Sequence, residues 1–192
     1  VAIEELGRFC HDNHYQLECL RQVNDELARR ITSSYSDLSG SKHLRHHKSV
    51  QNKWLKYRDD EFAFIEKILE EDGSMYPKMI LQFKAMVLKN RAVELNENDS
   101  ISESLEELTS ILIKEKERFH LSYNNVVERE RVSGDVKKLF SAAHSSWLEY
   151  RDEENTLQDN ESKVVGLRQK ILLFQNRILL LDTFNTYLKT IE

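Results

Sequence analysis

Glycine and proline, the residues that punctuate a chain, are nearly missing here: five Gly and one Pro among 192 residues. That scarcity excludes collagen-like and low-complexity classes and leaves few loops. Two cysteines are too few for a disulfide-dense scaffold. No unbroken apolar run exceeds four residues, as at Ile171 to Phe174 and Ile178 to Leu181, far below the ~20 that a membrane-spanning helix needs, so no transmembrane segment is expected. A surplus of basic charge is lacking too. Twenty-eight Lys and Arg face 33 Asp and Glu, a formal charge of −5, which is a poor basis for gathering phosphates and speaks against nucleic acid as a partner. Catalytic signatures are also wanting: no nucleophile elbow, phosphate-binding glycine loop, His-Glu-x-x-His helix or dinucleotide fingerprint occurs. Adjacent acidic residues such as Asp59 and Asp60 diverge by about 100° on a helix and do not face one substrate. We therefore expect no enzyme, no cofactor and no metal centre.

What remains is dominated by helix formers. Leu20, Val23, Leu27, Ile31, Tyr35 and Leu38 recur at steps of three and four, which puts them on one stripe of a first helix. After Ser39-Gly40-Ser41 a second helix is predicted over about 42–71, with Val50, Trp54, Tyr57, Ile65 and Ile68 on one side. Pro77 suits the first turn of a third helix. The spacing of Ser100 and Glu103 is that of a capping box, which starts a fourth helix running to about Arg131. Two more are predicted at about 135–159 and 162–191. The last has a broad apolar face from Leu167 to Leu188, able to serve the core or a partner helix. The fold class expected is all-α, with about six main helices in tandem antiparallel bundle units.

An internal repeat organises these helices. Trp54-Leu-Lys-Tyr-Arg-Asp-Asp-Glu61 reappears as Trp147-Leu-Glu-Tyr-Arg-Asp-Glu-Glu154, six of eight residues identical at an offset of 93. Asn90-Arg91 matches Asn176-Arg177 at an offset of 86, as a second copy shortened by seven residues would give. Two related units are expected, 1–98 and 99–192. Within each motif, Tyr57, Arg58 and Glu61 fall on the same side as Trp54, and Tyr150, Arg151 and Glu154 on the side of Trp147. A charge on a buried face needs a partner, so Arg58 is expected to pair with Glu61, shared with Glu94, and Arg151 with Glu154. Two readings of the motif stand. Its guanidinium binds a ligand or partner in an aromatic setting, or it ties helices together while Trp and Tyr fill the core; aromatics at helical spacing favour the second. Asp59 and Asp152 point away from the stripe, toward a third helix or a partner.

Cys10-His11-x-x-His14-x4-Cys19 holds thiol and imidazole ligands in a short span, although not at the spacing of the usual zinc modules. His43-x-x-His46-His47 could chelate an ion or act as a pH-sensitive contact, but it sits beside Arg45 and Lys48, and a solvated helix start is preferred.

The series Cys19, Glu26-Leu27, Tyr35, Leu38, then Gln51-x-x-Trp54-Leu-x-Tyr-Arg-Asp-x-Glu61, Gly73-Ser74-x-x-Pro77 and Arg91-x-x-Glu94-Leu95 resembles the LprI-type lysozyme-inhibitor N-terminal-like family. The likeness covers about residues 10–95. The second copy, about 105–182, is similar mainly through Trp147 to Glu154 and Arg177; it lacks the cysteines and the Gly-Ser-x-x-Pro turn. The resemblance implies small helical units behind a signal peptide or lipoprotein signal, and lysozyme inhibition by founding members. It also implies that Cys10 and Cys19 pair, which competes with the metal reading and points to an oxidising compartment.

The leading expectation is therefore an exported, non-enzymatic binding protein, periplasmic or secreted, that inhibits a lysozyme-type peptidoglycan-cleaving enzyme. The sequence opens at Val1, which leaves room for an upstream lipid anchor. The contact surface is expected at an exposed acidic edge, including Asp59 and Asp152, and at the turn holding Asp72, Ser74 and Tyr76. An immunity protein against one secreted toxin is the alternative. An envelope adaptor that self-associates through residues 167–188 is a third.

Overall fold

The computed structural model describes Cys10 and residues 16–38, 44–70, 76–96, 103–158 and 163–191. It is all-α: six helices packed in antiparallel pairs, with no strand among the described residues. They are α1 (Gln16–Leu38), α2 (Leu44–Leu69), α3 (Tyr76–Asn96), α4 (Leu105–Val127), α5 (Gly134–Gln158) and α6 (Lys163–Ile191). The stripes read from periodicity are the buried ones. Leu20, Val23, Leu27 and Ile31 line the inner face of α1, and Val50, Trp54, Tyr57, Phe64, Ile65 and Ile68 that of α2. Pro77 is the second residue of α3, where its missing N–H leaves no intrahelical bond unmade.

The chain forms two compact units. One comprises residues up to 44 together with 65–97, the other residues 45–64 together with 98–192. Most of α2 therefore packs with α4, α5 and α6, whereas the duplication read at 1–98 and 99–192 is a statement about sequence. In the first unit α1 lies against α3, and Asn24 Nδ2 reaches across to donate to the Leu81 carbonyl at 3.1 Å. Glu26 holds Arg29 and Arg30, each at 2.8 Å, and these two guanidinium groups pull its carboxyl down to about 2. A disulfide joins Cys10 to Cys19, the first buried residue of α1; both are nearly covered. The thiols are thereby engaged with each other, not with a metal.

In the second unit α4 packs on α6 along Leu108, Leu112, Glu115, Phe119, Ser122 and Val126, a strict alternation of fours and threes. Its two polar members are matched from α6. Gln175 Nε2 donates to Glu115 at 3.1 Å, and the Ser122 hydroxyl donates to Asp182 at 2.6 Å. Beyond the helix end Arg129 Nε donates to Asn185 at 2.8 Å. The two numberings rise together, so α4 and α6 run the same way, as the first and third of three alternating helices must. The broad face of α6 lies in this core: Ile171, Phe174, Ile178, Leu181, Phe184 and Leu188 are all at most 5% exposed. The surface expected to serve self-association is occupied within the chain itself.

Helix α4 starts later than its capping pattern suggests. Ser100 lies outside the described residues, and Glu103 precedes the helix. The box is built by Ser104, whose hydroxyl accepts from the Glu107 amide at 3.2 Å while Glu107 accepts from the Ser104 amide at 2.8 Å. Starting there places Leu108 fully inside. Helix α4 ends at Val127 rather than near Arg131, and α5 begins at Gly134, whose φ of +53° only glycine adopts without strain.

Replacing Ser104 by Ala leaves the Glu107 amide without its side-chain partner and should lower stability by about 1 kcal/mol in urea unfolding. Cys10→Ser should cost about 2–3 kcal/mol in oxidised protein, by restoring freedom to the unfolded chain. Under reductant, wild type and variant should unfold alike.

Candidate functional site

The repeated motif assembles on α2 and α5, which cross in opposite directions within the second unit. At the crossing Tyr57 and Tyr150, equivalent positions of the two copies, stack with ring centroids 6.1 Å apart and planes 1° from parallel. Equivalent residues facing each other in this way mark a local two-fold relation. Trp54 and Trp147 are each 2% exposed. Over each ring lies the guanidinium four residues on, Arg58 at 5.6 Å and Arg151 at 5.4 Å from the centroid. The following aspartate holds it: Asp59 Oδ1 accepts from Arg58 Nε and Nη2 at 2.9 and 2.6 Å, and Asp152 Oδ1 from Arg151 at 2.9 and 2.7 Å. The two copies thus build the same layer of Trp under Arg clamped by Asp. The arginine stems cover apolar surface while their heads reach water. Each exposed pair adds at most about 1 kcal/mol.

The pairing expected between Arg58 and Glu61 does not form. Arg58 follows the Trp54 ring outward, because a long cationic side chain at a core edge reaches solvent more cheaply than it is buried. Arg151 likewise bonds Asp152 rather than Glu154. Glu61 turns fully inward and meets Arg177 of α6, with both side chains 0% exposed. Arg177 Nη1 donates to Glu61 Oε2 at 2.7 Å and to the Tyr57 hydroxyl at 3.1 Å, and its guanidinium lies 5.4 Å from the Tyr57 ring and 6.0 Å from that of Trp147. Burial pushes the Glu61 carboxyl upward, and the charge of Arg177 opposes that push. Glu61 Oε1 and Arg177 Nε and Nη2 have no hydrogen-bond partner. In the first unit the matching Arg91 is 2% exposed, and its Nη1 is 3.4 Å from Glu94 Oε2; Glu94 is thus engaged by Arg91 rather than by Arg58.

Arg177 is the central residue that reasoning from the motif missed. Its signal was the Asn-Arg dipeptide set in an otherwise apolar helical face and present in both copies. The carboxylates of Asp59 and Asp152 are both 65% exposed beyond their arginine clamps. Asp72 and Ser74 lie outside the described residues, and so does the side chain of Tyr76, the first residue of α3. So do His11, His14, His43 and the His46 side chain. Among the described residues no group of three or more His, Cys, Asp and Glu could hold a metal ion, and no helix is long and apolar enough to cross a membrane.

Among the described residues this geometry can hold helices in register, and it leaves the carboxylates of Asp59 and Asp152 as charged edges. Residues 10–95 match the family model described as lysozyme inhibitor LprI, a stretch that includes both cysteines, Trp54 to Glu61 and Arg91; this segment is a domain of that family. Residues 96–192 lie beyond the match. A crystal structure of an uncharacterized protein from Burkholderia thailandensis is similar to the fold across 97% of both chains, with a TM-score of 0.73 at 16% identity. No curated protein matches the sequence significantly.

Glu61→Ala and Arg177→Ala should each destabilise by about 3–5 kcal/mol, since either strands a buried charge. The double replacement Glu61→Leu with Arg177→Met should cost far less than the sum of the two. Arg58→Ala should cost about 1 kcal/mol or less. Urea unfolding of the four variants against wild type checks this.

Proposed function

We propose that this chain, whose residues 10–95 form a lysozyme inhibitor LprI family domain, is an exported, non-enzymatic binding protein that inhibits a lysozyme-type peptidoglycan-cleaving enzyme. The match of the first copy to that family carries the reading. Two physical features support it. The Cys10–Cys19 disulfide belongs to an oxidising compartment, periplasmic or extracellular, where such enzymes act. The formal charge of −5 suits lysozymes, which are commonly basic, and would steer encounter with them.

The inhibitory surface belongs to the first copy. Its turn, with Asp72, Ser74 and Tyr76, has no counterpart of equal length in the second copy, and Tyr76 would supply an aromatic anchor. Asp59 and Asp152 lend acidic edges, although their arginine clamps already explain their presence. A second reading, an immunity protein for one secreted toxin, is favoured by a single observation: the family match stops at residue 95, so half of the chain is free to follow a different partner.

The expected result is stoichiometric block of cell-wall lysis by a basic lysozyme, with an association rate that falls several-fold as ionic strength rises from about 50 to 300 mM. Asp72→Ala combined with Tyr76→Ala should weaken inhibition about tenfold or more and leave the unfolding midpoint unchanged. Full indifference to a panel of lysozymes, with tight capture of one toxin, would replace the leading reading by the second.

A further inference from the structure

His144 of α5 is a half-buried imidazole that neither the motif nor the proposed inhibition uses. Its ring is packed within the aromatic layer of the second unit, 4.2 Å from the Tyr123 ring, 5.8 Å from Phe119 and 6.5 Å from Trp147. Tyr123 stacks in turn on Phe140 at 5.3 Å, and Phe119 on Trp147 at 4.9 Å, so the layer joins α4 to α5. Nδ1 is buried with no hydrogen-bond partner. The charged groups acting on the ring are of one sign: Arg177 from α6, Arg151 from α5 itself, and His120 from α4. No acidic group is among those acting on the ring, and the carboxylate of Glu61 is taken up by Arg177.

We propose that His144 is an acid-sensitive latch of the second unit: neutral, it completes the aromatic layer that fastens α5 to α4; protonated, it adds a cation beside Arg151 and Arg177 and loosens that layer. Burial, reinforced by Arg177, Arg151 and His120, holds the imidazole down at about 4, against about 6.5 in an unfolded chain. Between these values the unfolded chain carries a proton that the folded one refuses. Stability from this site is whole above pH 6.5, is lost as the pH falls toward 4, and changes no further below that. A difference of one proton multiplies the unfolding constant by up to about tenfold per pH unit. The device belongs to the second copy, since the position equivalent to His144 at an offset of 93 is Gln51.

The test follows the imidazole resonances of the full chain by NMR and compares unfolding of wild type, His144→Phe and His120→Phe across pH 7 to 4. His144 should titrate near pH 4 in the folded protein. His144→Phe keeps a ring in the layer and should lose the added acid sensitivity, about tenfold less rise in the unfolding constant per pH unit, whereas His120→Phe should keep most of it, since His120 is the weakest of the charges acting on the ring. An ordinary titration near 6.5, or parallel pH profiles for wild type and His144→Phe, would overturn the proposal. Should His144→Phe fail to fold, the titration of wild type decides alone.

Discussion

The buried ion pair of Glu61 and Arg177 is the constraint on which the rest of the second unit turns. Its members are 116 residues apart in sequence, and both are withdrawn wholly from water. A carboxylate in that position cannot stay ionised without a cation, and its own copy sends Arg58 to the surface. The cation comes from the other copy. This is the electrostatic reason why residues 45–64 pack with α4, α5 and α6. Phe64 confirms the arrangement on the apolar side, lying 5.0 Å from Phe140 and 5.2 Å from Phe184. With three of its polar atoms unpartnered, the pair adds little net stability. Its effect is selective: an alternative register of α2 would leave one buried charge without its partner, at a cost of several kcal/mol.

Four of the six residues held in common by the two motifs perform the same physical task in both copies. Trp fills the core, Tyr meets its equivalent at the local two-fold, Arg roofs the indole, and Asp fixes the guanidinium. Helical periodicity places Trp, Tyr and Glu correctly because all three lie near the center of the apolar stripe. It fails for Arg58 and Arg151, since a side chain with four rotatable bonds can leave the stripe whose backbone it shares. The aspartates, which pointed away from the stripe and invited a partner, are explained by the clamp.

The helices themselves were legible because strong periodicity and scarce glycine leave no rival pattern. Their ends were less so. Around the start of α4 two Ser-x-x-Glu patterns follow one another, Ser100 to Glu103 and Ser104 to Glu107, and spacing alone ranks them equally. The structure uses the second, whose Ser104, just before Leu105, bonds reciprocally with Glu107. The disulfide rested on resemblance, because two thiols nine residues apart beside histidines leave both a bond and a metal open by composition, even though the spacing is not that of the usual zinc modules. The partner of Glu61 was beyond reach of local rules: no helical spacing relates residues on α2 and α6.

The duplication separates what the fold requires from what it does not. The second copy keeps Trp147, Tyr150, Arg151, Asp152 and Arg177, and each has a packing or pairing role in the second unit. Arg177 in particular serves a residue of the first copy, so its loss would damage both. The second copy has no cysteines and a shorter turn, and its core is completed by residues 45–64 of the first. The second unit is thus built without the disulfide or the Gly-Ser-x-x-Pro turn. Features present in one copy and absent from the other call for a reason that the packing of the second unit does not supply. The partner recognition proposed for the first copy would supply that reason, and on that proposal the contact lies away from the tryptophans and arginines that first draw the eye.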